Sequence, residues 1–272
     1  MSVDNAVTLV RSMRPAFLLL TPVCILLGVA TAFRSAPSLV IVDVVLVLVG
    51  ALLAHISVNL LNEYHDFRSG LDFRTIRTAF SGGSGALVER PGAANLVRNA
   101  GIVALLLAAA IGVYFLTTQG LSLLPIGILG LLVIISYTPW INRHPVLCLL
   151  APGLGFGPLM VLGTHVALTG EYSVTAFVVS LVPFFLVNNL LLFNQYPDIE
   201  ADRSVGRRHF PIAYGIRTSN IVYALFMLAS CVTIMAGIWL GYLPGLAIIA
   251  LLPVLAAALA LAGMIIDGGV GR

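Results

Sequence analysis

The 272-residue chain contains no lysine; all 14 of its basic residues are arginine. Charge of either sign is scarce. Only 9% of residues are charged, against about 25% in a soluble domain, while 60% are hydrophobic. So few charges cannot cover so much apolar surface in water, which excludes a soluble globular fold. The formal charge of +3 is no basic patch either, and no nucleic-acid partner is expected. Cysteine is nearly absent. Cys24, Cys148 and Cys231 each stand alone in apolar sequence, lack metal-ligand spacing, and are the wrong number for a disulfide framework. They read as small apolar filler. A cleavable leader is not expected, because Arg11 and Arg14 precede an apolar run long enough to span a bilayer.

Long apolar stretches fill the rest. Eight are long enough to cross a bilayer, near 16–33, 39–61, 96–118, 121–141, 146–168, 173–193, 217–240 and 244–265. In lipid they must be helices, since every backbone group needs an internal partner. The short alternating segments of a barrel do not occur. The expected fold is all-α, a polytopic transmembrane helix bundle of eight spans. With these spans, every arginine but Arg34 falls on the side of the N-terminus. The positive-inside rule then makes that side, with loops 62–95 and 194–216, cytoplasmic.

Those two loops resemble each other. One opens Asn62-Glu63-Tyr64-His65-Asp66 and the other Asn194-Gln195-Tyr196-Pro197-Asp198. Each closes an even-numbered span, so the copies point the same way, as in a parallel internal repeat. His55, Asn59, Asn62 and Asp66 are spaced 4, 3 and 4 and form one stripe down the second helix. Asn188, Gln195, Asp198 and Asp202 are expected to form a comparable stripe at the end of the sixth. Polar groups on membrane helices face the bundle interior or a water-filled cavity. The expectation is one central cavity with carboxylates at its mouth.

Glu63, Asp66, Asp72, Asp198, Glu200 and Asp202 lie in these segments, flanked by Arg68, Arg74 and Arg77 and by Arg203, Arg207 and Arg208. Clustered carboxylates call for a cation, and hard oxygen ligands shared with phosphates suit magnesium. Arginine forks match phosphate oxygens. Acids and arginines beside an apolar cavity describe a site for a lipid diphosphate. Gly70 lets the chain turn so that Asp72 approaches Asp66, and Pro197 should kink or restart the sixth helix. The Ser81–Gly85 run reads as a plain loop before it reads as a phosphate cradle. His55 and His165 read as ordinary interior or interfacial polar groups, and Asp43 as reaching the interface.

Asn62, Asp66, Gly70 and Asp72 form the pattern N-x-x-x-D-x-x-x-G-x-D, and Asp198, Asp202, Gly206 and Arg207 form D-x-x-x-D followed by Gly and a basic residue. These motifs resemble the UbiA superfamily of intramembrane prenyltransferases, and in form its dihydroxynaphthoate polyprenyltransferase branch, of the menaquinone pathway. Tyr137-Thr138-Pro139 is similar to that branch too. The chain departs from the family in Glu63, often Asp; in Arg207, usually Lys; and in eight spans where nine are usual.

The resemblance implies a single membrane domain over 1–272, with repeat halves of approximately 1–141 and 146–272, in the inner (plasma) membrane of a prokaryote. It implies Mg2+ held by Asp66, Asp72, Asp198 and Asp202. Asn62, Arg74, Arg77, Asn194, Arg207 and Arg208 would bind the diphosphate. Tyr64, Phe67, Phe193 or Tyr196 would face the allylic cation, with His65 or Tyr137 as base. The implied reaction moves a polyprenyl group from its diphosphate to an aromatic acceptor, 1,4-dihydroxy-2-naphthoate or another quinone precursor. The competing reading is a transporter or channel. It is disfavoured because ionisable groups cluster at one face instead of lining a path across.

Overall fold

The computed structural model describes residues 3–78 and 81–254. Arg272 and the end of the stretch at 244–265 lie outside the described residues. Within them the chain is all helix. An amphipathic helix α1 (Val3–Ser12) is followed by α2 (Pro15–Ser35), α3 (Ile41–Ser69), α4 (Pro91–Gln119), α5 (Leu121–Ser136), α6 (Pro145–Thr169), α7 (Val174–Asn194), α8 (Ile199–Ser204), α9 (Phe210–Trp239) and α10 (Gly245–Val254). Six of these, α2, α3, α4, α6, α7 and α9, are long and apolar enough to cross a membrane. Of the remaining two expected spans, α5 is shorter, ending at Ser136, while α10 is described only to Val254 and the rest of that stretch lies outside the described residues.

Helices α3 and α4 pack along each other; α7 packs against α6 and α9; α2 joins the two groups by lying against α3 and α6. Small residues permit the closest crossings. A β-carbon on Gly153 would collide with the Phe184 carbonyl oxygen, and one on Gly157 would stand 2.5 Å from that of Ser180. Pro152 and Pro158 interrupt the backbone ladder of α6, which widens into a π-helical turn at Gly155–Leu162. The Gly153 amide donates to Oδ1 of Asn188 at 2.6 Å, and Asn189 donates to the Tyr223 carbonyl at 3.0 Å. This asparagine pair therefore joins helices. His55 shares a 2.8 Å hydrogen bond with Thr21. Asp43 is buried and accepts from the Tyr114 hydroxyl at 2.8 Å, so it turns into the bundle, contrary to the expected reach to the interface.

Helix α5 buries none of its residues. It closes one side of a cavity of about 610 Å³ that is also walled by α2, α3, α4, α6 and α7. Along α3 the lining runs from Asp66 to Val47, about 28 Å at 1.5 Å per residue. One end of the cavity carries carboxylates, amides and arginines. The rest is lined by groups such as Ala51, Ile111, Leu123 and Ala167.

Candidate active site

The polar end is assembled where α3 and α7 stop. Helix α3 continues through Asn62 and Asp66 to Ser69, so these residues belong to the helix and not to the loop. It ends at Gly70, whose φ of 78° lies in the left-handed region that glycine adopts without strain. The chain then turns through Leu71–Phe73 and buries Asp72. In the other half α7 ends at Asn194, and Asp198 stands just before α8. The continuous stripe expected from Asn188 to Asp202 is therefore broken between two helices. Pro197 lies in that break, as a proline without a backbone donor should. Asp66, Asp72, Asp198, Asp202, Asn62, Asn194 and Arg207 all line the cavity.

Arg207 links the halves. Its Nη2 donates to Oδ1 of Asp66 and its Nη1 to Oδ1 of Asp202, the latter at 2.9 Å. His209 Nε2 approaches Asp202 Oδ2 to 3.0 Å without the alignment of a hydrogen bond. Burial disfavours the charge on Arg207, but Asp66 and Asp202 outweigh it and raise its pKa. Asp72 and Asp198 differ from that pair: Oδ2 of Asp72 and Oδ1 of Asp198 are buried with no hydrogen-bond partner. Burial, then the charges of Asp66 and Glu63, push Asp72 up to about 7. Burial, then Asp202, push Asp198 up to about 6, against a lowering contribution from the Gly82 amide.

The glycine loop enters the site. Gly82 and Gly83 line the cavity at positive φ, and the Gly82 amide is near enough to Asp198 to work against the rise in its pKa. Fully buried Glu63 accepts from the Ser84 amide at 3.2 Å and from the Ser84 hydroxyl. It also pairs with Arg14 at 3.2 Å. Arg14 is a cavity residue that the sequence marked only as a topology signal. Its φ of 53° is the one positive value among described non-glycine residues, and it swings the side chain back over α3. Asn62 donates to Thr138 at 3.1 Å, bringing the Tyr137-Thr138-Pro139 stretch to the same place.

Three of the expected diphosphate arginines stand outside the cavity lining. Arg74 is exposed and bonds Ser204 at 3.0 Å, Arg77 donates to the Asp72 carbonyl at 3.2 Å, and Arg208 is exposed. The expected rings also miss the cavity. Tyr64 lies about 200° around α3 from Asn62 and Phe67 about 100° from Asp66, so the helix turns both away. Tyr64 lies under Arg98, Phe67 packs near Leu60 and Leu87, and Tyr196 is buried beside Leu149, bonding Asn220 at 2.7 Å. The aromatic rings that do line the cavity are Phe17, Phe115, Tyr137 and Phe156; of the two expected bases, Tyr137 lines it and His65 does not.

Among the described residues no three His, Cys, Asp or Glu side chains converge on one point as a metal cluster. The donor set nonetheless fits a hard cation that keeps several waters. Two buried carboxylate oxygens lack partners, and two further carboxylates are held by a cation already, the guanidinium of Arg207.

Fold and site together define an intramembrane helical bundle with an apolar cavity and an acidic mouth. Residues 21–268 match the sequence profile of the UbiA prenyltransferase family, and the chain belongs to that family. It is 29% identical over 208 residues to 1,4-dihydroxy-2-naphthoate octaprenyltransferase of Bacillus subtilis, covering 74% of this chain and 64% of that protein. It is also 29% identical over 231 residues to UbiA prenyltransferase domain-containing protein 1 of Xenopus tropicalis, covering 82% of this chain and 64% of that one. The match thus spans less than two thirds of each relative's length. The fold is similar to that of a UbiA homolog from Archaeoglobus fulgidus, solved bound to DMAPP and Mg2+. The TM-score is 0.71 at 16% identity, over 96% of this chain and 89% of that one.

Proposed function

We propose that this protein transfers a polyprenyl group from an allylic polyprenyl diphosphate to an aromatic acceptor, and that the acceptor is 1,4-dihydroxy-2-naphthoate. The observation that carries the reaction class is the pairing of a deep apolar cavity with partnerless carboxylate oxygens at its mouth. The naphthoate rests on the Bacillus subtilis relative. Asp66, Asp72, Asp198 and Asp202, supplied by equivalent ends of the halves 1–141 and 146–272, would hold Mg2+. When bound, the metal neutralises charge building on the diphosphate as it leaves.

The chain's own residues do the rest. Ala51, Ile111 and their neighbours take the prenyl tail and keep water from C1. Asn62, Asn194 and Arg207 reach the diphosphate from the cavity wall, while Arg74, Arg77 and Arg208 lie further out, where they draw the anion in. As the C1–O bond breaks, Phe17 and Tyr137 face the allylic cation, which an aromatic π-face stabilises. The electron-rich ring carbon of the acceptor then bonds to C1, the diphosphate departs with the C1–O electron pair, and the ring proton passes to that released diphosphate. The mouth opens to the cytoplasm, and the protein resides in the plasma membrane of a prokaryote. The test is a transfer assay in detergent with octaprenyl diphosphate, and with 1,4-dihydroxy-2-naphthoate or 4-hydroxybenzoate as acceptor. Prenylated naphthoate in the mass spectrum is expected. No prenylated product with any acceptor would remove the reading.

A further inference from the structure

We propose that Arg207 serves as an internal counter-cation for Asp66 and Asp202, and that a divalent cation must displace it from them before the site can work. The inference rests on the reading of these aspartates as metal-binding and goes beyond it, because it assigns the same side chain two successive partners. The geometry is specific. The two Nη atoms of one guanidinium reach two carboxylates from opposite halves of the chain, with side chains only 7% and 5% exposed. Two buried carboxylates cannot share so small a space without a cation between them. The planar arginine fork meets that need, which lysine, a single point donor, meets less well. The four aspartates are thereby divided: Arg207 holds two, while Asp72 and Asp198 each keep a partnerless buried oxygen.

Charge decides the outcome when a divalent cation enters. Arg207 occupies Oδ1 of both Asp66 and Asp202, so a divalent cation that takes those same two oxygens competes with the guanidinium for them. Once they turn to the metal, Arg207 is left at the mouth as an unpaired, largely buried cation. The neighbouring charged side chains do not relieve it: Arg14 is already paired with Glu63, and His209 lies against Asp202. Its natural new partner is an anion, and the diphosphate is the anion at hand. Metal binding thus creates the vacancy that diphosphate fills, and the two events are coupled through one residue, each strengthening the other.

The test uses the full chain in detergent, with Mn2+ and preformed manganese pyrophosphate as probes, titrated calorimetrically into wild type, R207Q and R207K. Relief from competition should tighten Mn2+ alone by roughly tenfold in R207Q, a typical coupling, with R207K between it and wild type. Manganese pyrophosphate should bind more weakly to R207Q than to wild type. This opposite sign separates the proposal from a merely structural role, which weakens both. Unchanged or weaker Mn2+ binding in R207Q overturns the proposal. If R207Q is not monodisperse, R207K decides alone: tighter Mn2+ supports the proposal, and equal or weaker binding overturns it. If wild type and both variants all take up no Mn2+, with or without pyrophosphate, the metal reading falls, and this inference with it. Equal Mn2+ uptake by wild type and both variants removes only the inference.

Discussion

A β-carbon on Gly83 would stand 2.9 Å from Oδ1 of Asp72, a separation that real β-carbons do not adopt. Gly83 also has a φ of 71°, where a side chain is strained by roughly 1–2 kcal/mol. The carboxylate is the movable partner, so Gly83→Ala should push Asp72 out of place more than it unfolds the loop. Turnover is expected to fall at least tenfold, while the melting temperature in detergent drops by only a few degrees. A fully active Gly83→Ala enzyme would show that Asp72 does not need its present position.

Asp66 and Asp198 both stand at the acidic end of the cavity but differ in their partners. Each of Asp66→Asn and Asp198→Asn should lower turnover on the order of 10²-fold, by removing charge stabilisation at the leaving group. The double variant should be little worse than either single, because residues that act as a unit are not additive. Stability should separate them. Asp66→Asn takes a charge partner from Arg207 and should lower the melting temperature, whereas Asp198→Asn removes an ill-solvated carboxylate and should not. Additive losses of turnover in folded protein would mean two independent sites.

Without divalent cations, stability should fall as pH rises. Asp72 and Asp198 have folded values of about 7 and about 6, above the ordinary 3.8. The folded chain therefore binds protons more tightly than the unfolded one across this window. The stabilisation present near pH 4 is lost on the way to pH 7. In chelator, the melting temperature should be higher at pH 5 than at pH 8, and Asp72→Asn should flatten the slope. Added Mg2+ should restore stability at pH 8. A melting temperature that rises from pH 5 to pH 8 in chelator would contradict the prediction.

Sidedness is checked by labelling. In a background with Cys231 replaced by Ser, Ile76→Cys and Glu200→Cys lie at exposed positions of the arginine-rich end, and Tyr172→Cys lies at the opposite end. An impermeant maleimide applied to intact cells should modify the last and spare the first two. The reverse pattern would place the mouth of the cavity outside.

How far the sequence could be read depended on whether a feature was local. Gly70 was legible because a turn between two acids six positions apart demands a residue that tolerates positive φ. The polar stripe on α3 was legible because it repeats with the helix. That same period, applied to Tyr64 and Phe67, already points them away from Asn62 and Asp66, so their misassignment was avoidable. The break between Asn194 and Ile199 was only half legible: Pro197 announced it, but spacing by four suggested an unbroken helix. Arg14 and the Arg207 bridge could not be read at all. One depends on a left-handed turn without glycine, and the other on a contact across the two halves.

That last contact also bears on how the molecule is made. Asp66 and Arg207 are separated by 141 positions. At a synthesis rate of 5–20 residues per second, Asp66 waits on the order of ten seconds for its partner to leave the ribosome. The first half therefore enters the membrane with its acidic end still wet and unclosed, and only the arrival of α8 and the start of α9 seals it. Assembly is timed by the order of translation, and a chain stalled before residue 198 would be a membrane-inserted bundle without a clasp.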